Sequence, residues 1–377
     1  MLKTADPVNI EQRAVDALRA ALGEAPGLTV LGIEAGNDIQ DVSVDLVCHV
    51  DFGGRRHVLV GEVESSGQPR YVPKALLQLK TYVGRQQGSD LVTPVFIAPY
   101  LSEDARALCT ENGVGYLDFE GNARIVFPGF FMMRTVEGKP PAERRQLRSL
   151  FKPKSASVLR TMLRDPSKSW RVADLAEASL VSVGHVSNVR NSLLDRGWAE
   201  VSEDGIFLSN PDGLLDAWRD DYAPPGADRR AFYTTLHGAL FEDAVRKLGP
   251  ALADDGLAIL SSFSAANWLA PYARTGTHYF YAHEEGADRL RHFLSLSPAG
   301  RGENVVVTVL DDLALFNDSV EAAGGIHCTS PVQAYLDLHV SPGEYELACD
   351  RRGGIQDCRH ACGSPCARRG AAQFCGT

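Results

Sequence analysis

The chain has 377 residues, 44% of them apolar and 23% charged, and a formal net charge of −10. This is the composition of an ordinary globular protein long enough for two or three domains. The acidity excludes a chain that coats nucleic acid over its whole surface, and no uninterrupted apolar run reaches the ~18 residues of a membrane-spanning helix.

The opening stretch, MLKTADPVNIEQRAVDALRAAL, lacks a short apolar core followed by a small-residue cleavage site. It reads as an amphipathic helix over Ile10–Leu22, not as a signal peptide, so a cytoplasmic protein is expected. Alternating patterns predict strands over Val42–Phe52 and His57–Glu64. A helix over Lys74–Arg85, a buried strand in VTPVFIAPY, a helix over Ser102–Asn112 and short strands near Tyr116 and Ile125 follow. Such alternation predicts an α/β layer domain over residues 1–138. Residues 139–154 (KPPAERRQLRSLFKPK) are rich in proline and positive charge and read as a basic linker.

Residues 155–222 carry a fuller pattern. Val158, Leu159 and Met162 give a first helix an apolar stripe, and Leu175 and Ala176 face inward from a short second one. Leu180–Ser182 make a turn, and Val183–Arg196 make a third helix with Val186, Val189, Leu193 and Leu194 inward. Gly197 follows where a helix-terminating glycine is favoured. Trp198–Val201 and Ile206–Leu208 then alternate around Asp204-Gly205, a hairpin signal. Together these pieces read as a winged helix-turn-helix.

In that reading the third helix enters the major groove of double-stranded DNA. Ser182, His185, Ser187, Asn188, Arg190 and Asn191 face outward, and Arg171 precedes the second helix. Eleven basic and four acidic residues lie between Arg144 and Arg196, a local surplus within an acidic chain. This is the electrostatic footprint of phosphate contact. The acidic tip (Glu200, Glu203, Asp204) instead favours a module used for protein contact.

The most specific local chemistry lies in VSVDLVCHVDFGGRRHVLVGEVESSGQPR. With Gly53-Gly54 as a two-residue hairpin loop, Asp45 falls opposite Glu62 and Ser43 opposite Glu64. Val44, Leu46, Cys48, Val50, Leu59 and Val63 then form a core face. The other face gathers three carboxylates at one end. Like charges directly opposite destabilise a sheet, and a divalent cation such as Mg²⁺ or a shared proton relieves the repulsion.

This pattern resembles the PD-(D/E)XK, or restriction-endonuclease-like, superfamily. The resemblance rests on Glu34 as a helix acid, Asp45, Glu62-Val63-Glu64, and Gln78 with Tyr82 as a Gln-x-x-x-Tyr helix motif. It implies a restriction-endonuclease-like α/β domain in which Asp45 and Glu62 hold Mg²⁺ and Glu64 completes the catalytic set. Glu64 stands where the family usually has lysine. A lysine would stabilise developing negative charge and a glutamate cannot; some nucleases of the fold have a glutamate there, and Lys74 or Lys80 on the next helix could substitute.

Residues 226–340 mix helices (Phe232–Leu248, Ala287–Phe293) with strands (Leu257–Leu260, His278–Tyr281, Asn304–Val309), an α+β domain. Ser264-Ala-Ala-Asn-Trp268-Leu-Ala-Pro-Tyr272, the Gly302-Glu-Asn-Val-Val strand and Thr329-Ser-Pro-Val-Gln333-Ala-Tyr335-Leu-Asp337-Leu resemble the C-terminal domain of AbiEi-type antitoxins of type IV toxin–antitoxin systems. The resemblance implies a DNA-binding autorepressor with a functional link to a nucleotidyltransferase-type toxin. His278, His283, His292 and His327 are scattered and form no catalytic set.

The last segment, 341–377, concentrates cysteine and arginine. Its Cys358-x3-Cys362-x3-Cys366 spacing, with His360 nearby, is not the paired Cys-x2-Cys of common zinc sites, so an unstructured tail is expected over a zinc site. The whole is an α/β and α+β multidomain chain. Its function is expected to be sequence-specific DNA binding and regulation, with a metal-dependent DNA nuclease as the alternative.

Overall fold

The computed structural model describes residues 7–39, 42–86, 91–226, 228–255, 257–270, 276–310 and 313–340. The cysteine-rich tail lies outside them. The chain is a mixed α/β structure that divides into two compact units. The first comprises residues 1–145 with 192–197, and the second 146–191 with 198–377. Among the described residues no helix is long and apolar enough to cross a membrane.

The first unit begins with α1 (Pro7–Gly23), followed by β1 (Leu28–Ile39), β2 (Val42–Phe52) and β3 (Arg55–Val63). Helix α2 (Val72–Arg85), strand β4 (Leu91–Ala98), helix α3 (Glu103–Glu111) and strands β5 (Gly115–Asp118), β6 (Ala123–Phe127) and β7 (Phe130–Arg134) complete it. The seven strands lie side by side in chain order. Pairing is antiparallel from β1 to β3 and from β5 to β7. It is parallel at β3–β4 and β4–β5. Parallel neighbours need long crossovers, and α2 and α3 supply them.

Both faces of this sheet are buried. Ala14, Leu18 and Leu22 of α1 pack on Leu46, Cys48, Val50, Leu59 and Ile97. Leu76, Leu79 and Tyr82 of α2 pack on Val47, Val58, Val60 and Phe96. A single core face had been expected. The second arises because β2 and β3 are nearly continuous apolar runs, as befits strands covered by helices on both sides. Strand β1 was not predicted, because Leu28–Ile39 contains two glycines and several polar residues. Glu34 lies on this strand opposite Val47, exposed, and not on a helix.

Helix α4 (Pro141–Leu150) occupies most of the stretch read as a linker, and α5 (Pro153–Arg164) starts within its last residues. Helices α6 (Val172–Ser179) and α7 (Val183–Asp195) and the two-stranded sheet of β8 (Ala199–Ser202) and β9 (Gly205–Leu208) follow. The hairpin loop is Glu203-Asp204, one residue earlier than predicted, since Ser202 pairs with Gly205. Gly205 is required there: its φ is 139°, and a Cβ would sit 2.2 Å from the Trp170 carbonyl oxygen. Trp170 and Ile206 exchange backbone hydrogen bonds across this approach.

Helix α8 (Pro211–Asp220) is capped by Asn210, whose side chain accepts from the Gly213 N–H at 2.9 Å. The rest of the second unit contains β10 (Asp228–Tyr233), α9 (Ala239–Asp254), β11 (Ala258–Leu260), α10 (Ser262–Leu269), β12 (His278–Ala282), α11 (Glu284–Phe293), β13 (Ser297–Pro298), β14 (Val305–Val309), β15 (Val320–Ala323), β16 (Ile326–Cys328) and α12 (Pro331–His339). The sheet order is β13-β10-β14-β12-β11-β16-β15. The helix predicted from Phe232 begins at Ala239 instead. Asp228–Tyr233 is strand β10, drawn into the sheet by pairing with β14.

Two buried polar centres tie this second unit together. Asp318 pairs with Arg160 Nε at 3.1 Å and also with Arg164, both on α5. Asp337 of α12 is buried and accepts from the Tyr222 hydroxyl and from Gln333 Nε2, the latter at 2.8 Å. Burial pushes its carboxyl up to about 6, against the hydrogen bonds from Tyr222, Gln333, Tyr281 and the Ser262 backbone.

Candidate functional site

In the first unit, β2 and β3 pair from Leu46–Gly61 to Phe52–Arg55, the register of a two-residue Gly53-Gly54 loop. The ladder stops there. Asp45 reaches diagonally, its Oδ2 accepting the Val63 N–H at 2.7 Å. Ser43 lies beyond the paired part of β2 and β3; on its other side it pairs with Asp38 of β1, and its carbonyl accepts from Gln78 Nε2 at 2.9 Å. The same Gln78 nitrogen donates to Glu62 Oε2 at 2.9 Å. The Glu64 N–H donates to the Ile97 carbonyl at 2.9 Å, extending the β3–β4 ladder by one residue.

The three carboxylates therefore share one end of the sheet, and their electrostatics show it. Burial, then the charges of Asp45 and Glu64, push the Glu62 carboxyl up to about 8. Asp45 is raised by burial, partly offset by the Val63 N–H and by Lys74. Glu64 is raised by burial and by Asp45, with Lys74 opposing. Lys74, on the first turn of α2, is the cation common to all three. Lys80 is engaged elsewhere, donating to Asn112 Oδ1 at 2.8 Å. Tyr82 is fully buried in the core beneath α2.

A Mg²⁺ ion does not fit these groups as arranged. Among the described residues no three His, Cys, Asp or Glu side chains are set to hold a metal ion. Asp45 Oδ2 and Glu62 Oε2 each accept one hydrogen bond, from the Val63 N–H and from Gln78. The cluster is an electrostatically crowded group of carboxylates, not a formed ligand cage.

In the second unit, Val158, Leu159 and Met162 of α5, Leu175 of α6, and Val186 and Val189 of α7 are buried. Leu194 is half-buried. Of the predicted outward set, Ser182, Asn188 and Asn191 are exposed, and Ser187 and Arg190 are half-exposed. The Ser187 hydroxyl donates back to the Val183 carbonyl at 2.9 Å. His185 departs from the prediction. Its Nε2 lies 2.9 Å from the Ser155 hydroxyl of α5, so its ring is turned into the helix packing. Arg171, just before α6, is exposed.

The cation surplus is smaller than the sequence count suggested. Arg160 and Arg164 are spent on Asp318, and Arg148 lies 3.7 Å from Asp221. Arg196, which belongs to the first unit, is buried against Glu143. Lys152, Lys154, Lys168 and Arg171 stay exposed, with Lys168 lying over the Trp170 ring at 3.7 Å. Sequence reasoning missed Leu180 and Val183, which are 74% and 55% exposed. The sequence pattern hid them, since Leu180 lies four residues after Ala176 and Val183 three before Val186, both at stripe spacing.

No family model and no curated protein matches the chain. Among solved structures it is similar to a repair endonuclease from Pyrococcus abyssi, at 17% identity over 30% of this chain and 47% of that one, with a TM-score of 0.23. It is also similar to EndoMS in its apo form, at 20% identity over 28% of this chain and 45% of that one, with a TM-score of 0.21. The chain thus spans about half the length of each.

Proposed function

We propose that this protein is a sequence-specific DNA-binding transcriptional regulator in which α5, α6, α7 and the β8–β9 hairpin act as a winged helix-turn-helix. One observation carries the reading. Helix α7 has no acidic side chain from Val183 to Leu194 and exposes Asn188 and Asn191. The Ser155–His185 contact sets its first turn beside the start of α5, where Lys152 and Lys154 are exposed. A helix so decorated suits the major groove, with the lysines available to phosphates. The likeness of residues 264–338 to AbiEi antitoxins supports the narrower reading of an autorepressor linked to a nucleotidyltransferase-type toxin.

The test is selection from a random-core duplex library by the full chain, followed by a salt titration. Defined sites and a steep fall of affinity with salt are expected. Replacing Arg190 and Asn191 with alanine is expected to relax the selected sequence. Failure to select any site, with no salt dependence, would remove the proposal.

A second reading, a restriction-endonuclease-like first unit that cleaves DNA with a divalent cation, draws support from the repulsion at Glu62, which a cation would relieve. It requires the carboxylates to rearrange. DNA cleavage with Mg²⁺ or Mn²⁺ that disappears in Asp45→Ala and Glu62→Ala would establish it. Intact single- and double-stranded DNA under both metals would eliminate it.

A further inference from the structure

The turn between α6 and α7 carries two large apolar side chains that the fold does not use. Leu180 closes α6 with φ at 55°, in the left-handed region that favours glycine. Its backbone N–H bonds to the Glu177 carbonyl at 3.2 Å, so the turn is well formed. Its side chain nevertheless points away from the core and is 74% exposed. Val183, the first residue of α7, is 55% exposed, whereas Val186 and Val189 on the same helix are buried. Leucine here bears both backbone strain and contact with water. Glycine would remove both, so packing within the chain does not account for it.

The surroundings define what can cover these side chains. Ser182 and Gly184 beside them are exposed, and a Cβ at Gly184 would meet nothing within 4 Å. The first turn of α7 therefore offers a low, open surface. Lys152 and Lys154 lie at the neighbouring end of α5, which the Ser155 and Ser157 hydroxyls tie to His185 and to the Ser179 carbonyl. An apolar centre beside exposed cations matches one element of duplex DNA, the C5-methyl group of thymine, which projects into the major groove between anionic phosphates.

We propose that Val183 and Leu180 read thymine methyl groups in the major groove, making thymine a required base of the target site. This rests on the DNA-binding reading above and adds a specificity element to it. Asn188 and Asn191, one and two turns further along α7, would supply the hydrogen-bonding part of the readout. The apolar pair would supply a contact that only the methyl group satisfies.

The test changes the DNA before it changes the protein. Full-length protein selects sites from a random-core duplex library, and the selected duplexes are remade with uracil in place of thymine, which removes only the methyl groups. The expected result is a thymine-containing site whose affinity falls about fourfold for each contacted methyl replaced, the equivalent of burying one such group. Val183→Ala is expected to erase the thymine–uracil difference without changing the salt slope. Leu180→Gly, which suits the backbone of the turn, is expected to reduce the difference while the protein stays folded. Equal affinity for thymine and uracil duplexes, with salt-dependent binding retained, would overturn the inference and leave the DNA-binding reading standing. Absence of any selected site or salt dependence would overturn both.

Discussion

Two groups of carboxylates, buried or half-buried, are treated in opposite ways. Asp318 in the second unit sits between Arg160 and Arg164, its charge matched by guanidinium groups held on one helix. Asp45, Glu62 and Glu64 in the first unit crowd together, with Lys74 and N–H donors opposing their repulsion, and Glu62 holds its proton up to about 8. The first arrangement serves the fold. The second costs stability, and a costly polar cluster at the end of a sheet is the kind of feature that function retains.

The comparison yields three expectations. The largest concerns Asp318. Asp318→Ala leaves Arg160, 3% exposed, without its carboxylate, and a loss of about 3 kcal/mol is expected in urea denaturation. A loss below about 1 kcal/mol would mean that the pair is not a structural keystone. The next concerns Glu62. Its folded-state pKa lies above the ordinary 4.5, so the folded protein binds the proton more tightly than the unfolded chain does. Stability is therefore lost as pH rises from 4.5 to about 8. Glu62→Gln removes that dependence. It is expected to stabilise the protein by about 1 kcal/mol at pH 8, after allowance for screening, and by nothing below pH 4.5. Thermal denaturation across that range reads it, and a destabilised variant at pH 8 would show that the charged form is held by contacts outweighing the repulsion. The smallest concerns Lys74, which is exposed. Lys74→Met is expected to change stability by no more than about 0.5 kcal/mol while moving the Glu62 titration further upward, as read by carbon-detected NMR. A downward or absent shift would remove Lys74 from the cluster.

Much of this was legible from residue pattern alone. Gly53-Gly54 between two alternating runs specifies the β2–β3 register, because a two-residue loop leaves one way to pair the strands. The stripes of α5, α6 and α7 are equally readable, since their period matches the face each helix buries. What escaped depends on tertiary neighbours. Strand β10 has little pattern of its own and exists because β14 offers it a ladder. Tyr82 is spaced like a site residue relative to Gln78, but the depth of the core beneath α2 decides that it is buried. His185 lies near the exposed side of α7 by helical angle and is turned inward by one hydroxyl on α5. The arginine count overstated the free charge because Asp318, more than 150 positions along the chain from Arg160 and Arg164, neutralises two of them.

The approach of Gly205 to the Trp170 carbonyl also determines how this hairpin can vary. Any side chain at position 205 would collide with backbone, and the paired hydrogen bonds between Trp170 and Ile206 fix where β9 runs. The base of the hairpin is thereby clamped, while Glu203 and Asp204 at its tip are exposed and contribute nothing to the clamp. The tip is a natural grafting position. Loops of other length or charge can be exchanged there while Trp170 and Ile206 keep the base of the hairpin in place.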